Sequence, residues 1–161
     1  MILVAVGANL ASEGRTPLAT CRWAVDEVAS LPGLRLCSVS RWFATRPIPA
    51  SDQPSFVNGV IRLAGTALPL DLLRSLHRIE AAAGRVRGAA NAARTLDLDL
   101  LAVDGQVIAT PALTLPHPRM QDRAFVMLPL HDVAPDWRHP VLGVTAMSLL
   151  EGVAGQEIEA L

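Results

Sequence analysis

The chain has 161 residues, 14 of them basic and 15 acidic, for a net charge of −1, with 51% hydrophobic and 18% charged positions. That length allows one domain with a real core. The composition is too apolar for disorder and too near neutrality for a protein that works through bulk nucleic-acid electrostatics. All 14 basic residues are arginine, and lysine and tyrosine are both missing. This removes the P-loop lysine, every lysine Schiff base and any phenolic acid or base.

Residues 2–6 are continuously apolar and read as a strand, not as a signal peptide, because no basic segment precedes them. Gly7 to Leu10 is expected to turn. Thr16-Pro17 suits a helix N-cap followed by proline at the first helical position. The helix it opens should run to about Leu31, bury Leu18, Cys21, Val25 and Val28, and stop at Pro32-Gly33. Residues 34–45 are one long strand candidate, and the prolines at 47, 49 and 54 argue for an irregular loop. Phe56 to Leu63 is the next strand, with Phe56, Asn58, Val60 and Arg62 on one face.

Pro69 opens a second helix with Leu72, Leu73, Leu76, Ile79 and Ala83 on one stripe, and Gly84 fits its C-terminal cap. Residues 88–93 lack bulky anchors and read as a loop. A strand over 95–103 is followed by Asp104-Gly105, a two-residue hairpin pattern whose partner strand would be Val107 to Ala109. Ala124 to Val133 reads as helical or extended, interrupted at Pro129, and a last helix spans roughly 144–152. Strand, helix, strand, strand, helix, strand is the order of a ferredoxin-like α+β sandwich, an antiparallel sheet with helices packed on it, here as one domain over 1–161. No apolar run is long enough for a membrane span. Cys21 and Cys37 lie in apolar segments, so both are expected as buried reduced thiols, and the chain as cytoplasmic.

The most informative stretch is Arg94-Thr95-Leu96-Asp97-Leu98-Asp99-Leu100-Leu101. Its period-two alternation sends Leu96, Leu98 and Leu100 to the core and Thr95, Asp97 and Asp99 to the other face. Two carboxylates about 6.6 Å apart along one strand repel unless a cation or a proton intervenes. Two readings stand: a solvated strand face, or a Mg²⁺ site, since Mg²⁺ takes one or two carboxylates plus substrate phosphates. Arg85, Arg87 and Arg94 lie within fifteen positions of the pair, and Pro116-His117-Pro118-Arg119 with Arg123 adds a second cationic cluster. Carboxylates ringed by guanidinium groups suit a polyphosphate, whose oxygens match the planar arginine fork. Any one of these arginines could instead be a solvated surface charge. His77, His131 and His139 have no such neighbours in sequence and are read as structural.

These motifs resemble the 6-hydroxymethyl-7,8-dihydropterin pyrophosphokinases of folate biosynthesis. The matching segments are Gly7-Ala8-Asn9-Leu10, Thr45 with 52–58, Ile79-Glu80, Gly84-Arg85-Val86-Arg87, 94–99, and Pro116 to Met120 with Arg123-Ala124-Phe125. They cover about residues 2 to 140 in family order, while the last twenty residues match little. The resemblance implies transfer of the β,γ-diphosphate of ATP to the pterin hydroxymethyl group, with release of AMP. It implies two Mg²⁺ ions on Asp97 and Asp99, and Arg85 and Arg94 as catalytic-loop arginines. It assigns Glu80, Arg87, Leu100, Thr114, His117 and Arg123 to the nucleotide, and Thr45, Ile48, Phe56, Asn58 and Phe125 to the pterin. A monomer acting on small molecules is expected, with neither nucleic acid nor membrane as partner. The alanine-rich 88–93 segment departs from the family pattern. A non-catalytic pterin- or nucleotide-binding paralogue and a Mg²⁺-dependent phosphohydrolase are the rivals; a third, an RNA-binding ferredoxin-like module, is disfavoured by the near-neutral charge and the lack of aromatic sheet motifs. The Asp97, Asp99, Arg85 and Arg94 set opposes the first, and the Phe56, Asn58 and Phe125 set opposes the second.

Overall fold

In the computed structural model, residues 1–11, 14–45, 54–84 and 95–161 are described. The expectations for Arg46 to Gln53 and for 85–94, including the irregular first loop and the alanine-rich segment, lie outside them.

The centre of the sheet is strand β1 (Ile2–Ala8). It is apolar on both faces because it is covered on both, and it pairs antiparallel with β4 (Phe56–Gly65) on one side and β5 (Asp97–Val103) on the other. Strands β2 (Leu34–Val39) and β3 (Phe43–Thr45) pair in turn with successive lengths of β4. A short β8 (Glu159–Ala160) extends the sheet beyond β3, leaving β5 as the opposite edge. A ferredoxin-like α+β arrangement follows, with two further helices on the second face.

Helix α1 (Pro17–Ala29) starts as the sequence predicts: the Thr16 hydroxyl accepts the Ala19 amide at 3.2 Å and Pro17 occupies the first turn. Cys21, Ala24, Val25 and Val28 are buried against β1 and β4, whereas Leu18 is only half-buried. Helix α2 (Pro69–Ala82) buries Leu72, Leu76 and Ile79 beside β5 and ends at Gly84, whose φ of +82° a β-carbon would strain. These two helices close one core. The other face is closed by α3 (Ala124–Val133) and α4 (Ala146–Glu151), which bury Leu3, Val60, Leu101, Met127 and Leu130. Pro129 lies within α3 without ending it. Among the described residues no helix is long and apolar enough to cross a membrane.

Several boundaries differ from expectation. The strand over 34–45 breaks at 40–42, where the Ser40 hydroxyl accepts the Val60 amide at 2.9 Å in place of a ladder bond. Arg41 there reaches α3, giving Asp132 two guanidinium contacts at 3.0 Å and one from its own amide at 2.9 Å. Strand β1 continues through Gly7 and Ala8, where a turn was expected. The Asp104-Gly105 turn forms, but it makes no hairpin with β5. Asp104 is instead held by the chain's first residue, donating its amide to the Met1 carbonyl at 2.7 Å and accepting the terminal amine at 2.6 Å. The next strand, β6 (Ile108–Ala109), pairs instead with β7 (Thr114–Leu115), so among the described residues β5 stays at the edge of its sheet. Cys21 is buried, with its thiol pushed up to about 12 by desolvation, but Cys37 is exposed, contrary to expectation. Its strand lies on α1 with alternate residues turned to solvent.

One irregularity matters for the site. Pairing of β5 with β1 shifts between Leu3 and Val4, so Leu101 is an extra residue. Leu100 and Val103 belong to the α1/α2 core, while Leu101 and Ala102 both enter the α3/α4 core.

Beyond α3, His139 stands edge-to-face on Trp137 with ring centroids 5.6 Å apart, and its Nδ1 accepts the Val141 and Leu142 amides at 3.2 and 3.0 Å. Burial lowers its pKa from the ordinary 6.5. The folded chain therefore resists a proton that the unfolded chain accepts, so stability is full above about pH 6.5 and falls as pH drops towards the folded value. Chemical denaturation between pH 7.5 and 5.5 should show this decline. His139→Asn, which keeps an acceptor but does not titrate, should make the decline shallower, at a cost of about 1 kcal/mol at pH 7.5.

Candidate active site at the edge of the sheet

Asp97 and Asp99 project half-buried from β5, while Leu96, Leu98 and Leu100 between and beside them are 0 to 3% exposed. Cross-strand partners share a face. Asp99 lies opposite Ala5, and Asp97 opposite Gly7, which is itself opposite Asn58 on β4. Asn58 in turn pairs with Phe43 on β3, and Thr45 pairs with Phe56. Asp97, Asp99, Asn58, Phe56 and Thr45 therefore stand on one face of the sheet, the face that α3 covers only in part. Phe125 comes to it from the first turn of α3, half-buried, with the Arg123 guanidinium 5.3 Å from its ring centroid.

A cleft of about 320 Å³ runs along the open edge of β5. Leu73, His77 and Glu80 of α2 form one wall, residues 111–114 and His117-Pro118 the other, and residues 97–100 the floor. The cleft thus gathers Glu80, Asp97, Asp99, Leu100, Thr114 and His117. Thr45, Phe56, Asn58 and Phe125 lie across the sheet from it, outside its lining. Arg85, Arg87, Arg94 and Ile48 lie outside the described residues.

Glu80 holds the floor in place. It is 2% exposed and accepts the Leu98 amide at 2.8 Å. That amide therefore points away from β1, towards the open edge. By the alternation of an antiparallel ladder, the Leu98 carbonyl and the Leu100 amide and carbonyl face the same way, into the cleft. The far wall is anchored by the His117 amide, which donates to the Leu101 carbonyl at 2.9 Å. His117 Nδ1 accepts the Arg119 amide at 3.3 Å, which assigns the proton of the neutral ring to Nε2. Burial, then Arg123, lower the His117 pKa below the ordinary 6.5; Asp97 opposes them and Arg119 adds to them. His117 therefore feels the charges of both Asp97 and Arg123.

The donor set also bears on a metal. Among the described residues no group of three or more histidine, cysteine, aspartate or glutamate side chains could cage an ion. A lone carboxylate pair opening on a cleft instead fits Mg²⁺, which keeps several waters and shares phosphate oxygens with its substrate.

Two contributors escape the sequence reading. His77, read as structural, lines the cleft; its place three residues before Glu80, on the same face of α2, was the available clue. Gly7 is the other. A β-carbon there would lie 2.7 Å from Asn58 Oδ1, so the glycine is the space that lets the Asn58 amide lie across β1. At its other end that amide donates to the Thr45 hydroxyl at 2.9 Å, which fixes its orientation.

The fold and the edge cleft together define a ferredoxin-like α+β protein with a carboxylate pair exposed on its sheet. Residues 3–135 match the family model described as 7,8-dihydro-6-hydroxymethylpterin-pyrophosphokinase (HPPK), and the chain belongs to that family. A 2-amino-4-hydroxy-6-hydroxymethyldihydropteridine pyrophosphokinase of Pseudomonas aeruginosa is 45% identical over 139 residues, covering 86% of this chain and 83% of the relative. The enzyme of the same name from Haemophilus influenzae is 37% identical over 133 residues, covering 83% and 81%. Among solved structures, a triple mutant of Plasmodium falciparum HPPK-DHPS with pteroate superposes with a TM-score of 0.67, covering 93% of this chain and 42% of that one. At 13% identity that likeness speaks for the fold alone.

Glu80→Ala leaves the buried Leu98 amide without its acceptor, a loss of about 1–3 kcal/mol. Urea denaturation should show the loss, and hydrogen exchange should show the Leu98 amide opening faster than its neighbours in β1.

Proposed function

We propose that this chain transfers the β,γ-diphosphate of ATP to the hydroxymethyl group of 6-hydroxymethyl-7,8-dihydropterin, releasing AMP. Family membership supports the reading, and one geometric observation carries it: two carboxylates from a single strand open on a cleft walled by α2 and the His117 segment. Asp97 and Asp99 would hold two Mg²⁺ ions. Bound there, magnesium supplies charge neutralisation for the attacking and leaving oxygens of the transferred group.

The chain's own residues do the placing. The backbone of Leu98 and Leu100 offers a donor and acceptors to the edge of a nucleobase, with Glu80 keeping that strand edge in register and Thr114 beside it. His117, through Nε2, and Arg123 face the phosphates, where an anion favours the protonated imidazole that burial opposes. In this reading Arg85 and Arg94 neutralise charge that develops on the triphosphate, and Arg87 is assigned to the nucleotide. On the sheet face, Phe56 and Phe125 take the two sides of the pterin ring and Asn58, oriented by Thr45, reads its amide edge; Ile48 is assigned to the same substrate. Holding both substrates within reach on one rigid sheet supplies the proximity such a transfer needs. The reading includes a single-domain monomer in the cytoplasm, a compartment that suits the exposed free thiol of Cys37.

The test is to mix protein, ATP, Mg²⁺ and the hydroxymethyl dihydropterin and identify the nucleotide product. AMP is expected, and ADP or free phosphate alone would refute the assignment. Asp97→Ala and Asp99→Ala should each lower kcat by at least a hundredfold and leave the unfolding midpoint almost unchanged, since both side chains are half-buried and face away from the α1/α2 core. Gly7→Ala should raise the Kd for the pterin about tenfold, about 1.4 kcal/mol, by displacing the Asn58 amide. Calorimetric titration with the pterin checks it.

A further inference from the structure

The segment beyond the family-matched residues makes a contact that none of the site assignments uses. Arg123 is the residue just before α3, and its own side chain, lying over the Phe125 ring, does not cap the helix. The cap comes from far along the chain. Gln156 Oε1 accepts the Ala124 amide at 2.9 Å, and Gln156 Nε2 donates to the Asp122 carbonyl at 2.7 Å. One carboxamide thus grips the backbone immediately before and immediately after Arg123. It satisfies the first orphan amide of α3, the task an N-cap side chain ordinarily performs.

Gln156 is itself held from both sides. Its amide donates to the Val153 carbonyl at 3.0 Å, and Val153 is 3% exposed in the α3/α4 core. On its other side Ile158 packs on the same core, and β8 pairs with β3, Ala160 opposite Phe43 and Glu159 opposite Ala44. The Leu161 amide closes the segment on the Trp42 carbonyl at 2.9 Å. The carboxamide is exposed to solvent, but the chain that delivers it is pinned at both ends, so little rotamer and backbone freedom remains to be lost in making the grip.

We propose that Gln156 is a positioning residue for Arg123, and that the segment 153–161 acts as a clasp setting the direction in which this guanidinium meets the nucleotide phosphates. The proposal rests on the nucleotide-phosphate role given to Arg123 above. An arginine fork is selective in direction, so a backbone free to rotate at 123 would spread the guanidinium over several orientations while leaving the fold standing.

The experiment measures MgATP binding to the full-length protein by calorimetry, with pterin binding and the thermal midpoint recorded on the same samples. Gln156→Ala should weaken MgATP five- to tenfold, with the pterin Kd within twofold and the midpoint within about 2 °C of wild type. Gln156→Glu keeps an acceptor for the Ala124 amide but sets a carboxylate oxygen against the Asp122 carbonyl, so it should recover only part of the loss. The deciding measurement is the pair of variants in an Arg123→Ala background, where Gln156→Ala should cost nothing further. Unchanged MgATP affinity in Gln156→Ala, or a full additional loss on top of Arg123→Ala, overturns the proposal. Wild-type protein that binds MgATP but forms no AMP with the pterin overturns the diphosphate-transfer reading instead, and leaves the clasp to be judged on binding alone.

Discussion

The arrangement depends on the register of β1 between β4 and β5. Gly7 is opposite Asn58 on one side and Asp97 on the other, so the group that reads a ring edge and the first acidic side chain stand in one row. Two inter-strand steps, about 9.5 Å, separate their backbones. The only residue between them has no side chain. A slip of one residue in either ladder would turn its side chains to the opposite face and dissolve the row. The alternation of β5 opposes that slip, because a shift would turn Asp97 and Asp99 into the α1/α2 core and bring Leu98 and Leu100 out of it.

Around this row the nearby charges meet at His117, where Asp97 favours the protonated ring while burial and Arg123 oppose it. An anionic ligand would shift that balance towards the imidazolium. Glu80 differs from Asp97 and Asp99: its carboxylate is buried and committed to the Leu98 amide, so it shapes the floor between them. One carboxylate thus secures the strand edge while two others open on the same cleft.

Much of this was legible in the chain. The alternation over 95–100 is local, and it named the face of both aspartates. The Thr16-Pro17 start, the α2 stripe and the shared face of Phe56 and Asn58 follow from period alone. What failed depended on distant partners. Asp104-Gly105 has hairpin chemistry, yet the chain's first residue captures Asp104 and β7 captures β6. Cys37 sits among apolar residues but on a strand with one face in water. His77 looked isolated because the wall facing it comes from residues 111–118. Gly7 is marked only as part of a matching segment and Gln156 not at all; their importance is where a β-carbon is missing and where a carboxamide arrives from 32 residues away.

The extra residue at Leu101 has a consequence for the whole acidic edge. Counting back from Val103 in a perfectly regular pleat, residues 101, 99 and 97 would fall on the α1/α2 side and the leucines at 98 and 100 on the other. The same eight letters would then bury two carboxylates and offer two isobutyl groups to the cleft. A single inserted step in the ladder inverts that outcome, so the polarity of this surface is decided by phase and not by composition.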